Sequence, residues 1–213
     1  MLRRCCSLTI KYSFFYMDKM KKFIDKSAVI LAGGKGTRMN GDKALLPVSG
    51  EKLIEKVARN LEPYFEEILI SARSKEMFDF LPYPVVVDER PGCGPLMGIL
   101  SALRVSGNPA NFVIACDIPE IDIGFIEKMV PFTGNYDIVV PASGGNRFEP
   151  LFAFYNKNVI PVIQDLLNQG VRKINRLYPK CRTKYVSFEN DGWYHNLNTM
   201  EDYQKYLDTE KKS

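Results

Sequence analysis

The sequence predicts an α/β fold, a mainly parallel sheet with helices on both faces. Three observations carry that expectation. Short apolar runs alternate with stretches of helical periodicity along nearly the whole chain. Several of those runs end abruptly on a polar residue: a glycine-rich loop after Leu31, then Ser71, Asp88 and Asp117. No linker, repeat or low-complexity tract divides the pattern, and 213 residues suffice for one substantial core.

Taken in order, Ala28–Leu31 is the first strand. Lys52–Leu61 is a helix, with Leu53, Ile54, Val57, Ala58 and Leu61 at helical spacing. Strands follow at Ile68–Ile70 and Pro84–Val87, then a helix over Leu96–Val105 and a strand over Phe112–Ala115. Ile123–Val130 is helical, Asp137–Val140 and Pro150–Phe154 are strands, and Val159–Leu167 is a helix closed by Gly170. Lys184–Phe188 is a further strand and Met200–Leu207 the last helix. In such sheets ligands bind beyond the carboxyl ends of the strands. The polar residues at those ends therefore converge on one crevice.

Composition narrows the function. The formal charge is +4, but the first 27 residues carry seven cations (Arg3, Arg4, Lys11, Lys19, Lys21, Lys22 and Lys26) against Asp18 and Asp25, a balance of +5. The remainder is near −1 by difference, so the body of the protein is no surface for nucleic acid. Five scattered cysteines (Cys5, Cys6, Cys93, Cys116 and Cys181) form no Cys-x-x-Cys pair, which argues against a zinc site or a disulfide framework and for free thiols in a cytoplasmic location. His195 is the single histidine, which removes most His-based metal sites and Ser-His or Cys-His nucleophilic machinery.

Residues 1–26 read as a basic extension ahead of a domain spanning 27–213. Its short apolar run is broken by Lys11 and followed by no small-residue cleavage site. No stretch approaches the roughly 20 apolar residues of a membrane helix. The extension is either an upstream start choice, with Met17 or Met20 as the true beginning, or a basic amphipathic surface anchor.

The densest chemistry lies in Val29–Lys43. Gly33, Gly34, Gly36 and Gly41 are punctuated by Lys35, Arg38 and Lys43. Glycines let backbone N–H groups close around an anion, and cations neutralise what dipoles alone cannot. That is the chemistry of a triphosphate cradle. A Walker loop is excluded because Asp42 stands where lysine must follow Gly41, and a dinucleotide fingerprint fails at Met39. Lys43 suits phosphate oxygens as a point charge, and Arg38 offers a forked donor to departing pyrophosphate. Asp117, after a buried strand and two residues before Pro119, is placed either to hold Mg²⁺ or to close a turn. Asp88 either contacts a nucleotide or a metal's water shell, or caps its own turn. Cys93, in the Pro-Gly-Cys-Gly-Pro run, has no histidine nearby in sequence to activate it.

These residues closely resemble the molybdenum cofactor guanylyltransferases, within the nucleotidyltransferase superfamily. The resemblance covers about Ala28 to Leu207. It rests on Leu31-Ala-Gly-Gly34 with Arg38-Met39 and Asp42-Lys43, Gly94-Pro-Leu-Met-Gly98, Cys116-Asp-Ile-Pro119, Gly170-Val-Arg-Lys-Ile174 and Asn196-Leu-Asn-Thr-Met-Glu-Asp202. It implies a Rossmann-like nucleotidyltransferase fold, GTP as substrate and Mg²⁺ as cofactor. The implied reaction is attack by the terminal phosphate of molybdopterin on the GTP α-phosphate, releasing pyrophosphate. Carried over by position, Leu31, Ala32 and Gly33 meet GTP through their backbone, Lys43 a phosphate, Ser71 and Asp88 the nucleotide, and Asp117 both GTP and Mg²⁺. Arg38, Lys43 and Asp117 are then the catalytic set. Partners implied are GTP, the molybdopterin cofactor, and proteins that handle molybdopterin or mature molybdoenzymes.

The chain departs from the pattern at Ser71, where some relatives have asparagine, and at Phe148-Glu-Pro150, where relatives often have His-Pro. Leu-Ala-Gly-Gly resembles the guanylyl rather than the cytidylyl branch. A cytidylyltransferase, or a transferase acting on another phosphate acceptor, is the alternative. Arg172, Lys173, Asn196 and Asn198 are candidates for the pterin side; equally, Arg172 and Lys173 are a solvated helix start and Asn198 a helix cap. Trp193 and His195 are expected to be packing residues near the crevice.

Overall fold

The computed structural model describes residues 23–33, 42–143, 147–188 and 196–210. Its strands are β1 (Phe23–Leu31), β2 (Pro47–Val48), β3 (Glu51–Lys52), β4 (Phe65–Ala72), β5 (Val85–Val87), β6 (Ala110–Ala115), β7 (Ile138–Ser143), β8 (Arg147–Phe148), β9 (Phe152–Asn156) and β10 (Thr183–Ser187). Its α-helices are α1 (Leu53–Leu61), α2 (Pro95–Val105), α3 (Ile123–Met129), α4 (Ile160–Asn168) and α5 (Met200–Glu210).

The central sheet runs β10-β7-β9-β6-β1-β4-β5, with β8 paired to β7. The pairings of β1 with β4 and β6, β4 with β5, and β10 with β7 are parallel. β9 runs antiparallel to both β6 and β7. The two faces follow from the two-residue period of β1. Ala28, Ile30 and Ala32 point into a core with Ile54, Val57 and Leu61 of α1 and Phe125, Ile126 and Met129 of α3. Val29 and Leu31 point the other way, onto Leu96, Ile99, Leu100 and Leu103 of α2 and Ile163 and Leu166 of α4. A strand buried on both sides reads as an unbroken apolar run, and Ala28–Leu31 does.

A smaller apolar cluster binds α5 to the β2–β3 hairpin and α1, through Val48, Leu53, Leu197, Tyr203 and Tyr206. The Thr199 hydroxyl accepts from Asp202 N at 3.1 Å while the Asp202 carboxylate accepts from Thr199 N at 2.9 Å, so Thr199, not Asn198, caps α5.

The domain boundary expected at residue 27 moves. β1 begins at Phe23, whose ring is buried against Tyr64 and Phe65 at centroid distances of 5.9 and 5.1 Å. Burial of that ring draws the last four residues of the expected extension into the sheet. The rest of the extension, including Met17 and Met20, lies outside the described residues.

Phe112 is the hub of the first core. It is fully buried, with the rings of Phe152, Phe154 and Phe65 centred 4.9, 5.2 and 5.8 Å away. Phe112→Ala is expected to destabilise the protein by about 3–5 kcal/mol, read from urea unfolding. Val105→Ala, on an exposed helix end, serves as the control, expected within about 0.5 kcal/mol of wild type.

Candidate active site

Register brings the strand ends level. Leu31 pairs with Ser71 of β4 on one side and with Ala115 of β6 on the other. Beyond the strands the coupling continues: Ala32 N donates to Ser71 O at 2.8 Å, and Cys116 N donates to Leu31 O at 3.1 Å. Asp88 N donates to Ala72 O at 3.0 Å just past β5. Leu31, Ala32, Gly33, Ser71, Asp88 and Asp117 are thus delivered to the same end of the sheet by backbone hydrogen bonding alone.

One half of the site is Ser71, Asp88 and Gly98. The buried Ser71 hydroxyl donates to Asp88 Oδ1 at 3.3 Å. Burial pushes the Asp88 carboxyl above its ordinary range, opposed by the Ser71 hydrogen bond and the Arg73 charge. Gly98, in the first turns of α2, lets the helix approach this pair. A Cβ there would stand 2.6 Å from Ser71 Oγ, 3.2 Å from Leu31 Cδ2 and 3.4 Å from Asp88 Oδ1.

The other half is an ion pair. Lys43 opens a 3₁₀ turn, Lys43–Leu45, capped by Asp42, whose Oδ1 accepts from Ala44 N at 3.2 Å. Lys43 Nζ lies 3.2 Å from Asp117 Oδ2, both side chains being partly buried. Asp117 Oδ1 is buried and accepts no hydrogen bond among the described residues. The backbone of Asp117 is held from the far side, its carbonyl accepting from Leu197 N at 2.9 Å. Asn196 and Leu197 are therefore drawn to the crevice from a distant part of the sequence. Asn198 is exposed.

Next to the crevice lies a groove of about 480 Å³ lined by Pro95, Arg147, Phe148, Arg172, Lys173 and Tyr178, among others. Phe148 stacks edge-on against Tyr178 (5.5 Å) and lies 5.2 Å from Tyr185, an aromatic wall facing cations. Arg172 and Lys173 sit in the connection between α4 and a 3₁₀ turn at Ile174–Arg176, not at the start of an α-helix. Arg172 Nη1 donates to Gly92 O at 3.0 Å. The loop that begins at Asp88 and ends at Pro95 therefore borders both crevice and groove.

Arg38, Trp193 and His195 lie outside the described residues. Cys93 is half-buried, while Cys116 is buried with its thiol pushed far up by burial and the neighbouring Asp117 charge, an inert core position. Sequence reasoning missed Arg73, Arg147, Phe148 as a wall residue, and Tyr178. The repeated glycines of Gly94–Gly98 were the one signal that a helix would come unusually close to the strand ends.

A mainly parallel sheet whose carboxyl ends gather Gly33, a lysine and separated carboxylates places the protein among the α/β folds that bind ligands beyond their strand ends. The chain belongs to the MobA-like NTP transferase domain family, which matches residues 28–183. It is 38% identical over 188 residues to a probable molybdenum cofactor guanylyltransferase of Carboxydothermus hydrogenoformans, covering 85% of this chain and 94% of that one. It is 36% identical to the molybdenum cofactor guanylyltransferase of Vibrio vulnificus, covering 84% and 94%. Among solved structures, molybdopterin-guanine dinucleotide biosynthesis protein A from Archaeoglobus fulgidus superposes with a TM-score of 0.77 at 24% identity, covering 88% of this chain and all of that one. The fold expected from the sequence is thereby shared with that protein.

Because Ser71 donates to Asp88, Ser71→Ala is expected to raise the midpoint of Asp88 protonation further. Gly98→Ala, which pushes the hydroxyl aside, is expected to do the same. Carboxyl ¹³C NMR titration of the three proteins reads this; coincident midpoints would show that the hydroxyl does not support the carboxylate.

Proposed function

We propose that this protein is a molybdenum cofactor guanylyltransferase, transferring GMP from GTP to the terminal phosphate of molybdopterin and releasing pyrophosphate. The observation that carries the reading is the pairing of Lys43 with Asp117 at 3.2 Å beside the Leu31–Gly33 backbone. A phosphate-binding cation and a carboxylate with one oxygen lacking a donor among the described residues stand where a triphosphate would meet both. The names of the relatives at 36–38% identity support the choice of substrates.

Each residue then has a task. The backbone of Leu31, Ala32 and Gly33 faces the triphosphate, and Lys43 draws its oxygens as a point charge. Arg38, by its place in the family motif, stabilises the departing pyrophosphate. Ser71 and Asp88 hold the nucleoside. An ionised carboxylate is acceptor-only, so Asp88 suits the adjacent N–H donors of guanine better than the mixed edges of cytosine or adenine. Arg172, Lys173 and Arg147, with the Phe148–Tyr178 wall, seat a planar acceptor bearing a phosphate. A phosphate oxygen of that acceptor attacks the α-phosphorus as the bond to the β-phosphate breaks. No covalent enzyme intermediate is required, and catalysis is positioning plus charge stabilisation. The molybdopterin guanine dinucleotide so formed passes to proteins that mature molybdoenzymes.

Asp117 is the residue that fits Mg²⁺. Its buried Oδ1 has no donor among the described residues, and no cluster of three or more His, Cys, Asp or Glu occurs there. That sparse donor set suits an ion that takes one or two carboxylates and completes its shell with phosphates and water. When bound, Mg²⁺ supplies charge neutralisation to the triphosphate. Among the described residues no helix is long and apolar enough to cross a membrane.

The reading is tested by pyrophosphate release with Mg²⁺, each of GTP, CTP, ATP and UTP, and molybdopterin as acceptor. Acceptor-dependent release with GTP alone is expected; release with CTP would move the protein to the cytidylyl branch. Asp117→Ala should lower kcat by about 100-fold or more while leaving the fold intact, and a folded variant of near-normal rate would remove Asp117 from the chemistry. Lys43→Ala should raise the KM for GTP about tenfold and slow turnover with it; unchanged constants would place the phosphate cradle elsewhere.

A further inference from the structure

Arg73 stands directly beyond β4, two residues after Ser71, hydrogen-bonded to Asp42 and close to Gly33. Its Nη2 donates to Asp42 Oδ2 at 3.4 Å. The other oxygen of Asp42 caps the 3₁₀ turn that carries Lys43. On its other side the Arg73 stem meets the outgoing end of β1: a Cβ added to Gly33 would lie 3.8 Å from Arg73 Cγ and 3.7 Å from Asp88 Oδ2. Gly33, the stem of Arg73 and the Asp88 carboxylate therefore surround one point. The Arg73 charge also favours the ionised form of Asp88, against its burial.

The side chain is 39% exposed, and an ion pair so placed contributes little to stability. Its value is geometric. A planar guanidinium has several donors and can serve two carboxylates, whereas an ammonium on a flexible stem holds one at a time less rigidly. Ala44 of the Lys43 turn packs into the core that also holds Ala32, and the Arg73–Asp42 bond adds a polar tie on the crevice side.

We propose that Arg73 is a positioning residue for the nucleotide, tying Asp42 to the Gly33 end of β1 and so setting the spacing between Lys43 and the Leu31–Gly33 backbone. The proposal rests on the reading of the crevice as a nucleoside triphosphate site.

The test is equilibrium binding of Mg·GTP to the full chain, compared across wild type, Arg73→Gln, Arg73→Lys, Asp42→Asn and the Arg73→Gln/Asp42→Asn pair. Asp42→Asn keeps the cap, since an amide oxygen also accepts from Ala44 N, but removes the charge. Arg73→Gln should weaken GTP about fivefold, with Arg73→Lys recovering part of the loss and melting temperatures unchanged. Asp42→Asn should add little once Arg73 is gone, because the two act through one contact. In transfer assays the KM for GTP should rise while kcat stays within about twofold. Unchanged affinity in Arg73→Gln, or independent multiplying effects in the double variant, would overturn the bridge while leaving the crevice assignment standing. A wild-type protein that binds no nucleoside triphosphate would instead overturn the crevice assignment and this inference with it.

Discussion

The site depends on β1 being hydrogen-bonded in parallel register on both sides. Leu31 is level with Ser71 and with Ala115, and the bonds Ala32 N to Ser71 O and Cys116 N to Leu31 O extend that register past the strands. Because side chains alternate with a period of two, a one-residue slip of β1 would turn Ala28 and Ile30 from the α1–α3 core to the α2–α4 core. Both faces are apolar, so close packing of side chains of different size rather than polarity holds the register, and the register levels the residues proposed for the chemistry. Core packing and the placement of Ser71, Asp88 and Asp117 are one constraint rather than two.

On that platform the polar groups are arranged in opposed pairs. Lys43 neutralises one oxygen of Asp117 and leaves the other without a donor among the described residues. Arg73 donates to Asp42, and its charge favours the ionised form of Asp88. Partly buried charges are costly when unpaired, and these carboxylates have cations beside them. The close approach of Gly98 adds the steric counterpart, letting α2 come down on Ser71 and Asp88 without a side chain between. The loop from Asp88 to Pro95 then links this crevice to the cationic, aromatic groove that holds Arg172 and Phe148.

Much of this was legible in the residues themselves. Runs such as Phe112–Ala115 and Pro84–Val87 end on a carboxylate, and a buried strand that stops on a charge points to its carboxyl end as a site. The helices over Leu53–Leu61 and Leu96–Val105 followed from spacing of apolar residues. The reversed direction of β9 did not, because five apolar residues read alike in either sense and only its neighbours decide. The β2–β3 hairpin, two residues per strand, is too short to carry a period. Phe23 looked like part of a basic extension, since a single aromatic among lysines gives no hint of the Tyr64–Phe65 pocket it fills. Arg73 was invisible for a similar reason: its partner Asp42 is 31 residues away and meets it only when β1 and β4 pair. Asn198 reads in the sequence as a cap of the last helix, and the reciprocal bonds of Thr199 with Asp202 move the cap one residue on.

The central claim is that the Lys43–Asp117 pair marks the seat of a metal-bound triphosphate. A crystal structure of the protein with Mg²⁺ and a non-hydrolysable GTP analogue tests it most directly. The account predicts the triphosphate against the Leu31–Gly33 backbone, Lys43 turned from Asp117 to a phosphate oxygen, and Mg²⁺ on the Asp117 carboxylate. A nucleotide bound elsewhere, or bound there with the Lys43–Asp117 pair still closed and no metal at Asp117, would contradict it.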